Sequence, residues 1–497
     1  MKIVPKKENP KAPSTHNFYL RSRLANMKTV FLTWSQTVTY HCFPKIFKPK
    51  THVLMQCVWA VVFLTFSSLT CLILVNIVTG FYQFSVVTQI ELIDEKPTFF
   101  PAVTICNSNP FTTKLAENLT KKVSIEMYGI DLESISFSEF INYAYASLAF
   151  SVKSYASSPE YIVNRKLLGN DLREIITHCT FNAAPCNLSH DFRWFYHYDY
   201  GNCLQMNADV SNVKRIVLGQ KVNGLSLMLG PLVTQNAFPI IVSEGLRILV
   251  HNQTHEPNTF DSFVSVEPGK ETNIAIGRTF FANTPSPYST CTDLANGFDS
   301  ALYNHMIHSN KSYAQADCLN LYFQQLLMDK CACYSSALPT LVASSSPCLN
   351  STQFKCYNDL YSGVLTQQIS VTGGLLQCPL ECDFMTYGTF LSGLSLPNKE
   401  TYNLFKSDQA LYHATQTTYD VDLSTYDLFK QHFYSINVYY EATHYTFISG
   451  TPQMTTYQLI SSLGGSLGML LGFSAFSLLE FFEMLCKIVW IGIFSKR

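Results

Sequence analysis

The sequence predicts an α+β membrane protein, with two apolar spans flanking a large disulfide-rich exterior. Three observations carry that prediction. Residues 442–479 hold 38 positions without one Asp, Glu, Lys or Arg. Residues 53–78 form another stretch of 26 mostly apolar positions, and no charged residue occurs between Lys50 and Glu91. Twelve of the sixteen cysteines fall between these two stretches.

Both stretches exceed the roughly 20 residues needed to cross a bilayer. The first begins 52 residues into the chain, and it is longer than the 7–15-residue apolar region typical of a cleaved signal peptide, so it reads as an anchor. Charge orients the chain. Residues 1–52 carry ten Lys and Arg against the single acid Glu8, and Lys487, Lys496 and Arg497 close the sequence. Positive flanks stay cytoplasmic. The expected organisation is therefore a cytoplasmic segment 1–52, a first span 53–80, an exterior domain 81–450, a second span 451–493 broken near Gly472–Ser474, and a cytoplasmic end 494–497. That is a multi-pass plasma-membrane topology in contact with lipid.

The exterior holds 21 basic and 32 acidic residues, a net charge of −11 that the overall −1 conceals. An acidic surface enriches cations near a pore mouth, and no nucleic-acid partner is expected. Its cysteines are Cys106, Cys179, Cys186, Cys203, Cys291, Cys318, Cys331, Cys333, Cys348, Cys356, Cys378 and Cys382. An even count in an oxidising compartment indicates a disulfide framework. Cys42, Cys57, Cys71 and Cys486 fall in cytoplasmic or membrane sequence and are expected as thiols. Glycosylation sequons at Asn118, Asn187, Asn252, Asn310 and Asn350 all lie in the same exterior region.

Within the exterior, residues 100–106 read as a β-rich entry strand, and residues 111–178 turn helical and polar. Residues 200–207, 224–229 and 245–251 read as strands. Residues 316–330 place Leu319, Phe323, Leu326 and Leu327 on one helical face. Residues 435–446 alternate as a strand that leads straight into the second span. Cys331-Ala-Cys333 could begin a zinc site, but an oxidising exterior favours disulfides and no metal site is expected. Cys331 and Cys333 are too close to pair comfortably with each other. Separate downstream partners would make a ladder of cross-links, each worth about 2–4 kcal/mol.

The second span is built wrongly for an anchor alone. Between Ser461 and Ser477, ten of seventeen residues are Gly, Ser or Ala. Small residues let helix backbones approach closely in a membrane. A Gly-broken segment exposes carbonyls that lipid cannot satisfy, which is tolerated only inside protein or along a water-filled path. Glu480 and Glu483 follow in the same apolar run, and intramembrane acids face aqueous cavities or partners. This reads as a pore. Gly464-Gly465-Ser466-Leu467-Gly468 matches the Gly-x-Ser-x-Gly elbow of hydrolases, but it sits inside a span with no strand–turn–helix setting, and no enzyme is expected. An ATP-gated receptor shares the topology yet needs a basic cluster for phosphates. A non-conducting receptor or adhesion protein leaves the small residues and the two glutamates unexplained.

Phe100-Pro-Ala-Val-Thr-Ile-Cys-Asn107, Tyr200-Gly-Asn-Cys203, Pro287-Tyr-Ser-Thr-Cys291 and Cys331-x-Cys333 resemble landmarks of the degenerin/epithelial sodium channel family, which includes acid-sensing channels. Gly472-Phe473-Ser474 occupies the place of that family's Gly-x-Ser selectivity motif. The resemblance implies a trimer of self or related subunits, a hand-like ectodomain of finger, thumb, palm, knuckle and β-ball, and a sodium-selective pore typically blocked by amiloride. It implies no cofactor beyond permeant Na⁺. It further implies the pairs Cys106–Cys203, Cys179–Cys186, Cys291–Cys382, Cys318–Cys378, Cys331–Cys356 and Cys333–Cys348. Tyr322 and Leu376 stand where the family carries one more thumb disulfide.

Carried onto this chain, the resemblance gives a gate at Ser461, Ser462, Gly464 and Gly465, and an inner vestibule at Glu480 and Glu483. His41-Cys42 stands where the family has His-Gly, a gating motif before the first span. Acid-sensing relatives use carboxylate pairs, but Gly363 replaces the second expected thumb acid after Asp359, and the facing residues 237–242 are apolar. Leak, a peptide ligand or force is therefore expected to gate the channel in preference to protons.

Overall fold

The computed structural model describes residues 15–136, 145–230, 243–293, 297–308, 313–339, 341, 346–366, 372–419 and 421–494. The chain divides into two packed units, Met1–Val87 with Thr451–Arg497, and Thr88–Gly450. The sequon at Asn310 and the apolar segment 237–242 lie outside the described residues.

In the larger unit a mixed sheet is built on the long strand Lys270–Ala282. Asp383–Ser395 pairs with it antiparallel along its whole length, while Tyr434–Tyr440 and then His444–Pro452 pair with it in parallel. The single strand expected over 435–446 is thus two. Lys270 faces Tyr434 whereas Thr279 faces Thr446, so residues 441–443 form a bulge. Charged Glu441 lies in it, exposed, its N–H donating to the Ile276 carbonyl at 3.2 Å. A second sheet runs Val264–Val266, Leu246–His251, Ala102–Asn107, Gly201–Met206, Phe192–His197. Ala102–Asn107 and Gly201–Met206 are buried at every position, so neither shows the apolar–polar alternation of a half-exposed strand, and Thr104, Asn202 and Gln205 are buried polar residues within them. Ile105, Leu204, Met206, Ile274 and Val438 belong to one core.

Six disulfides join Cys106 to Cys203, Cys179 to Cys186, Cys291 to Cys382, Cys318 to Cys378, Cys331 to Cys356 and Cys333 to Cys348. Four of them tie down the helices Gln315–Cys331, Ser351–Leu365 and Thr372–Gln377 with their flanks. Gln315–Cys331 buries more than the one face read from its sequence: Cys318 and Leu321 pack in one cluster, Phe323 and Leu327 in another, and Leu319 and Leu326 are only half-buried. Its first N–H, from Gln315, donates to the Glu381 carboxylate at 3.0 Å, an anion at the positive end of the helix. Ser351–Leu365 starts on a reciprocal cap between Asn350 and Gln353, the arrangement that satisfies two otherwise orphaned donors. Tyr322 lies against Gly373 and Gly374, where a Cβ would come within 2.7 Å of its hydroxyl and 2.6 Å of its ring, respectively. At one of the two positions where the family resemblance implies a further disulfide, a tyrosine ring packed on two glycines stands instead. Leu376 is exposed.

Two histidines near the second sheet are shifted in opposite directions. His251 is buried, with Nε2 at 2.8 Å from the Thr104 hydroxyl and 3.2 Å from the Gln205 amide, and burial pushes it down to about 4. For His255, burial pulls the other way than its partners do. The Asp261 carboxylate at 2.8 Å, aided by Asp317 at 3.8 Å, outweighs burial and leaves the imidazole above its ordinary value. The signs follow from proton linkage. His251 contributes stability above its unfolded value that is lost as pH falls toward about 4. His255 contributes stability below its unfolded value that is lost as pH rises through its raised one. Thermal unfolding of the purified protein as a function of pH should therefore show His251→Gln flattening the acid limb, and His255→Asn costing stability only on the acid side.

In the smaller unit, Val53–Tyr82 is long and apolar enough to cross a membrane, and its Leu54, Val61 and Leu64 are exposed. Thr456–Leu471 and Ala475–Ile491 meet the same measure as a pair, bent by 72° at the break between them. Val53–Tyr82 packs along Thr456–Leu471, and Thr15–Thr37 packs along Ala475–Phe494. Cys42, Cys57, Cys71 and Cys486 are free thiols.

Candidate functional site

The candidate site is the break in the second apolar segment, between Thr456–Leu471 and Ala475–Phe494. Thr456–Leu471 opens on a reciprocal cap, Thr455 with Gln458. It ends at Gly472, in the left-handed conformation at φ 66°, with the Gly472 N–H on Gly468 O at 3.0 Å and the Phe473 N–H on Leu467 O at 3.2 Å. This is the glycine-terminated helix end that satisfies orphan carbonyls locally. Glycine is required there twice over, because a Cβ on Gly472 would lie 2.8 Å from the His41 ring.

The segment before the first apolar helix folds back onto the break. The His41 N–H donates to the Leu471 carbonyl at 2.8 Å, closing an acceptor that the broken helix leaves open. Tyr40 stacks on Phe473 with ring centroids 5.5 Å apart and planes within 10°. Phe43 meets Phe63 of the first apolar helix at 5.4 Å, and Trp34 meets Phe481 at 6.0 Å. Cys42 takes φ 70°, ψ −30°, and the Phe43 N–H returns to His41 O at 2.9 Å. That three-residue turn is strained for any residue with a Cβ, which is the physical content of Cys in place of Gly.

Below the break, the next helix starts on Ser474 and Ser477. The Ser477 N–H donates to Ser474 Oγ at 3.3 Å, and the Ser474 N–H donates to Ser477 Oγ at 3.2 Å. Ser477 is fully buried and lies 2.7 Å from the Thr39 hydroxyl. Thr39 donates both its N–H and its hydroxyl to Glu480 Oε2, each at 3.2 Å. Glu483 pairs with Lys487 one turn on, at 2.5 Å. The sequence singled out Gly472, Phe473, Ser474, His41, Cys42 and Glu480, and the structure brings these six together. Ser461, Gly464 and Gly465 stand apart from them on the exposed surface of Thr456–Leu471, Ser462 is half-buried there, and no neighbour comes within 4 Å of a Cβ on either glycine. Thr39, Tyr40 and Ser477 were not recognised as site residues. Ser-x-x-Ser at the start of a helix is a legible capping signal; nothing in the sequence marks Thr39. Of the sequons, Asn118, Asn187 and Asn350 are exposed and Asn252 is half-buried.

Residues 34–484 match the family described as amiloride-sensitive sodium channel, and the chain belongs to it. It is similar to the epithelial sodium channel subunit beta-2 of Xenopus laevis, at 26% identity over 66% of this chain and 49% of that protein. It is similar to the epithelial sodium channel subunit beta of Oryctolagus cuniculus at 24% identity, over 82% of this chain and 63% of that protein. The FMRFamide-activated amiloride-sensitive sodium channel of Cornu aspersum matches at 26% over 57% of this chain and 44% of that protein. The chain thus spans between 44% and 63% of the length of these relatives.

The geometry makes a sharp expectation for the break. Gly472→Ala should destabilise the protein by about 1–3 kcal/mol, from the positive φ and the collision with His41. Adding His41→Gly should restore only the steric part, so the two changes should couple in a double-mutant cycle of thermal unfolding. Strict additivity would show that the ring and the glycine do not touch.

Proposed function

We propose that this chain is a subunit of a trimeric, sodium-selective, amiloride-sensitive cation channel of the plasma membrane. In this reading Val53–Tyr82 and the bent pair Thr456–Leu471 with Ala475–Phe494 are two membrane spans, both termini are cytoplasmic, and the disulfide-tied unit is a hand-like ectodomain. The observation that carries it is the break at Gly472–Ser474, inside a long uncharged run, closed on one side by His41. Family membership supports the same reading.

Three copies of the broken helix would surround an axis, with Gly472 and Ser474 at its narrowest ring. Only short side chains fit that radius, and there backbone carbonyls and hydroxyls replace the hydration shell of a small cation. The carbonyl end of Thr456–Leu471 carries partial negative charge toward the break, which favours a cation. Phe473, stacked on Tyr40, is held away from that ring. Ser461, Ser462, Gly464 and Gly465 would form the outer gate, where open faces suit packing against other copies. Glu480 anchors the folded-back segment through Thr39, and Glu480 with Glu483 gives the inner vestibule its negative potential.

For gating, a peptide ligand, leak or force is favoured over protons. Asp359 is exposed and the buried Gly363 stands where a second thumb acid is expected, so that position supplies no second carboxylate. One relative is activated by FMRFamide, which supports a peptide.

Expression in patched cells tests the channel directly. With Na⁺ outside and K⁺ inside, current should reverse well positive of zero and amiloride should reduce it. Ser474→Cys should change the Na⁺/K⁺ ratio. Surface-expressed protein that passes no current as wild type, as Ser474→Cys or as Ser461→Trp would contradict a pore. An acid step of the bath should evoke little transient current, and a large one would overturn the gating preference.

A further inference from the structure

The larger unit contains a cavity of about 560 Å³ that has no part in the helix break. Its walls come from the strand Phe192–His197, the loop 254–259, the first turns of Gln315–Cys331 and the segment 336–339, with Arg165 entering from the short helix Arg165–Leu168. The volume lies in the range of pockets that hold drug-sized ligands.

The polar atoms in these walls are the notable part. Arg165 Nε, Tyr196 Oη, Thr254 Oγ1, Thr259 Oγ1 and Ser336 Oγ are all buried and have no hydrogen-bond partner among the described residues. The buried His197 Nε2 joins them on the same wall; each such orphan costs about 1–3 kcal/mol, and six around one cavity are far more than one region of a core normally carries. The half-buried Arg165 lies with its guanidinium 4.9 Å above the Tyr196 ring and makes no ion pair among the described residues, the neighbouring Asp171 being taken by Lys166. Burial holds the guanidinium below its usual range. Burial also raises the Tyr196 phenol, which therefore remains a proton donor. Of the acids at the cavity, Asp317 is engaged by Asn258 at 3.2 Å and by His255, and Glu256 is exposed. Pro257, Met306, Leu321 and Leu338 give the rest of the lining a buried apolar surface.

We propose that this cavity binds a small carboxylate with a compact apolar body, its carboxyl group received by Arg165 and Tyr196 and its body by the Leu321 and Leu338 wall. A half-buried cation with an unpaired Nε donor and no ion-pair partner among the described residues is the complement of an anion, and guanidinium matches carboxylate geometry in particular. The hydroxyls of Thr254, Thr259 and Ser336 fix the ligand's remaining polar groups. This site lies in the larger unit and its test reads binding alone, so binding and current can fail separately.

The test uses the purified full-length protein in detergent, with N-acetyl-phenylalanine as probe, N-acetyl-phenylalaninamide as its neutral counterpart, and inorganic phosphate as an anion without an apolar body. Calorimetric titration and thermal shift should show the carboxylate binding, the amide weaker by about tenfold or more as loss of a charge-assisted bond implies, and phosphate producing no shift. Arg165→Gln should lose about tenfold or more in affinity. Tyr196→Phe, which keeps the ring under the guanidinium, should lose severalfold while eluting as wild type; should Arg165→Gln fail to fold, this variant decides. Equal affinity for acid and amide, a phosphate shift as large as the carboxylate's, unchanged affinity in the variants, or no binding of the carboxylate would each overturn the assignment.

Discussion

A helix interrupted inside apolar surroundings must find partners for the backbone it frees, because lipid offers none. Here the interruption falls at Gly472–Ser474, and the Leu471 carbonyl is closed by the His41 N–H from more than 400 residues earlier in the chain. Much of the smaller unit depends on that closure. His41 can reach Leu471 only because Tyr40 stacks on Phe473 and Thr39 is tied to Ser477 and Glu480. The return of the chain through the strained Cys42 turn then sets Phe43 against Phe63 of the first apolar helix. The residues before one apolar helix thereby become the structural complement of the break in the other.

Glu480 illustrates how one residue serves two ends. Its charge in an apolar run first suggests an attractor for cations, and the structure gives it two donors from Thr39 as well. Both bonds fall on Oε2 of a half-buried side chain and give it partners that an apolar run does not supply. In the proposed channel, the group that helps fill the vestibule with cations also fastens the folded-back segment, so the state of that segment and the field in the vestibule would change together.

Some of this was legible in the sequence for clear physical reasons. Uncharged runs, small-residue density and glycine at 472 are local signals, and a chain break is a local event. Ala102–Asn107 and Gly201–Met206 were legible as strands, but Thr104, Asn202 and Gln205 gave no sign that both faces are covered. What the sequence hid depended on distant partners. Thr39 is an ordinary threonine until Ser477 and Glu480 arrive beside it. The bulge at 441–443 exists because two strands share one long neighbour in different registers, which alternation within 435–446 cannot report. Gln315–Cys331 was read as one-faced because its second buried face includes Cys318 and Gln324, residues that periodic apolar patterns pass over; Gln324 is satisfied by two bonds to the Ser335 backbone, each at 3.0 Å.

The account stands on the small-residue break lining an ion path shared between copies. An experimental structure of the purified protein in a lipid bilayer tests this most directly. It should show a three-fold assembly in which the backbone at Gly472–Ser474 comes nearest the central axis, with His41 behind it. A monomer, or an assembly in which those residues face only lipid chains, would contradict it.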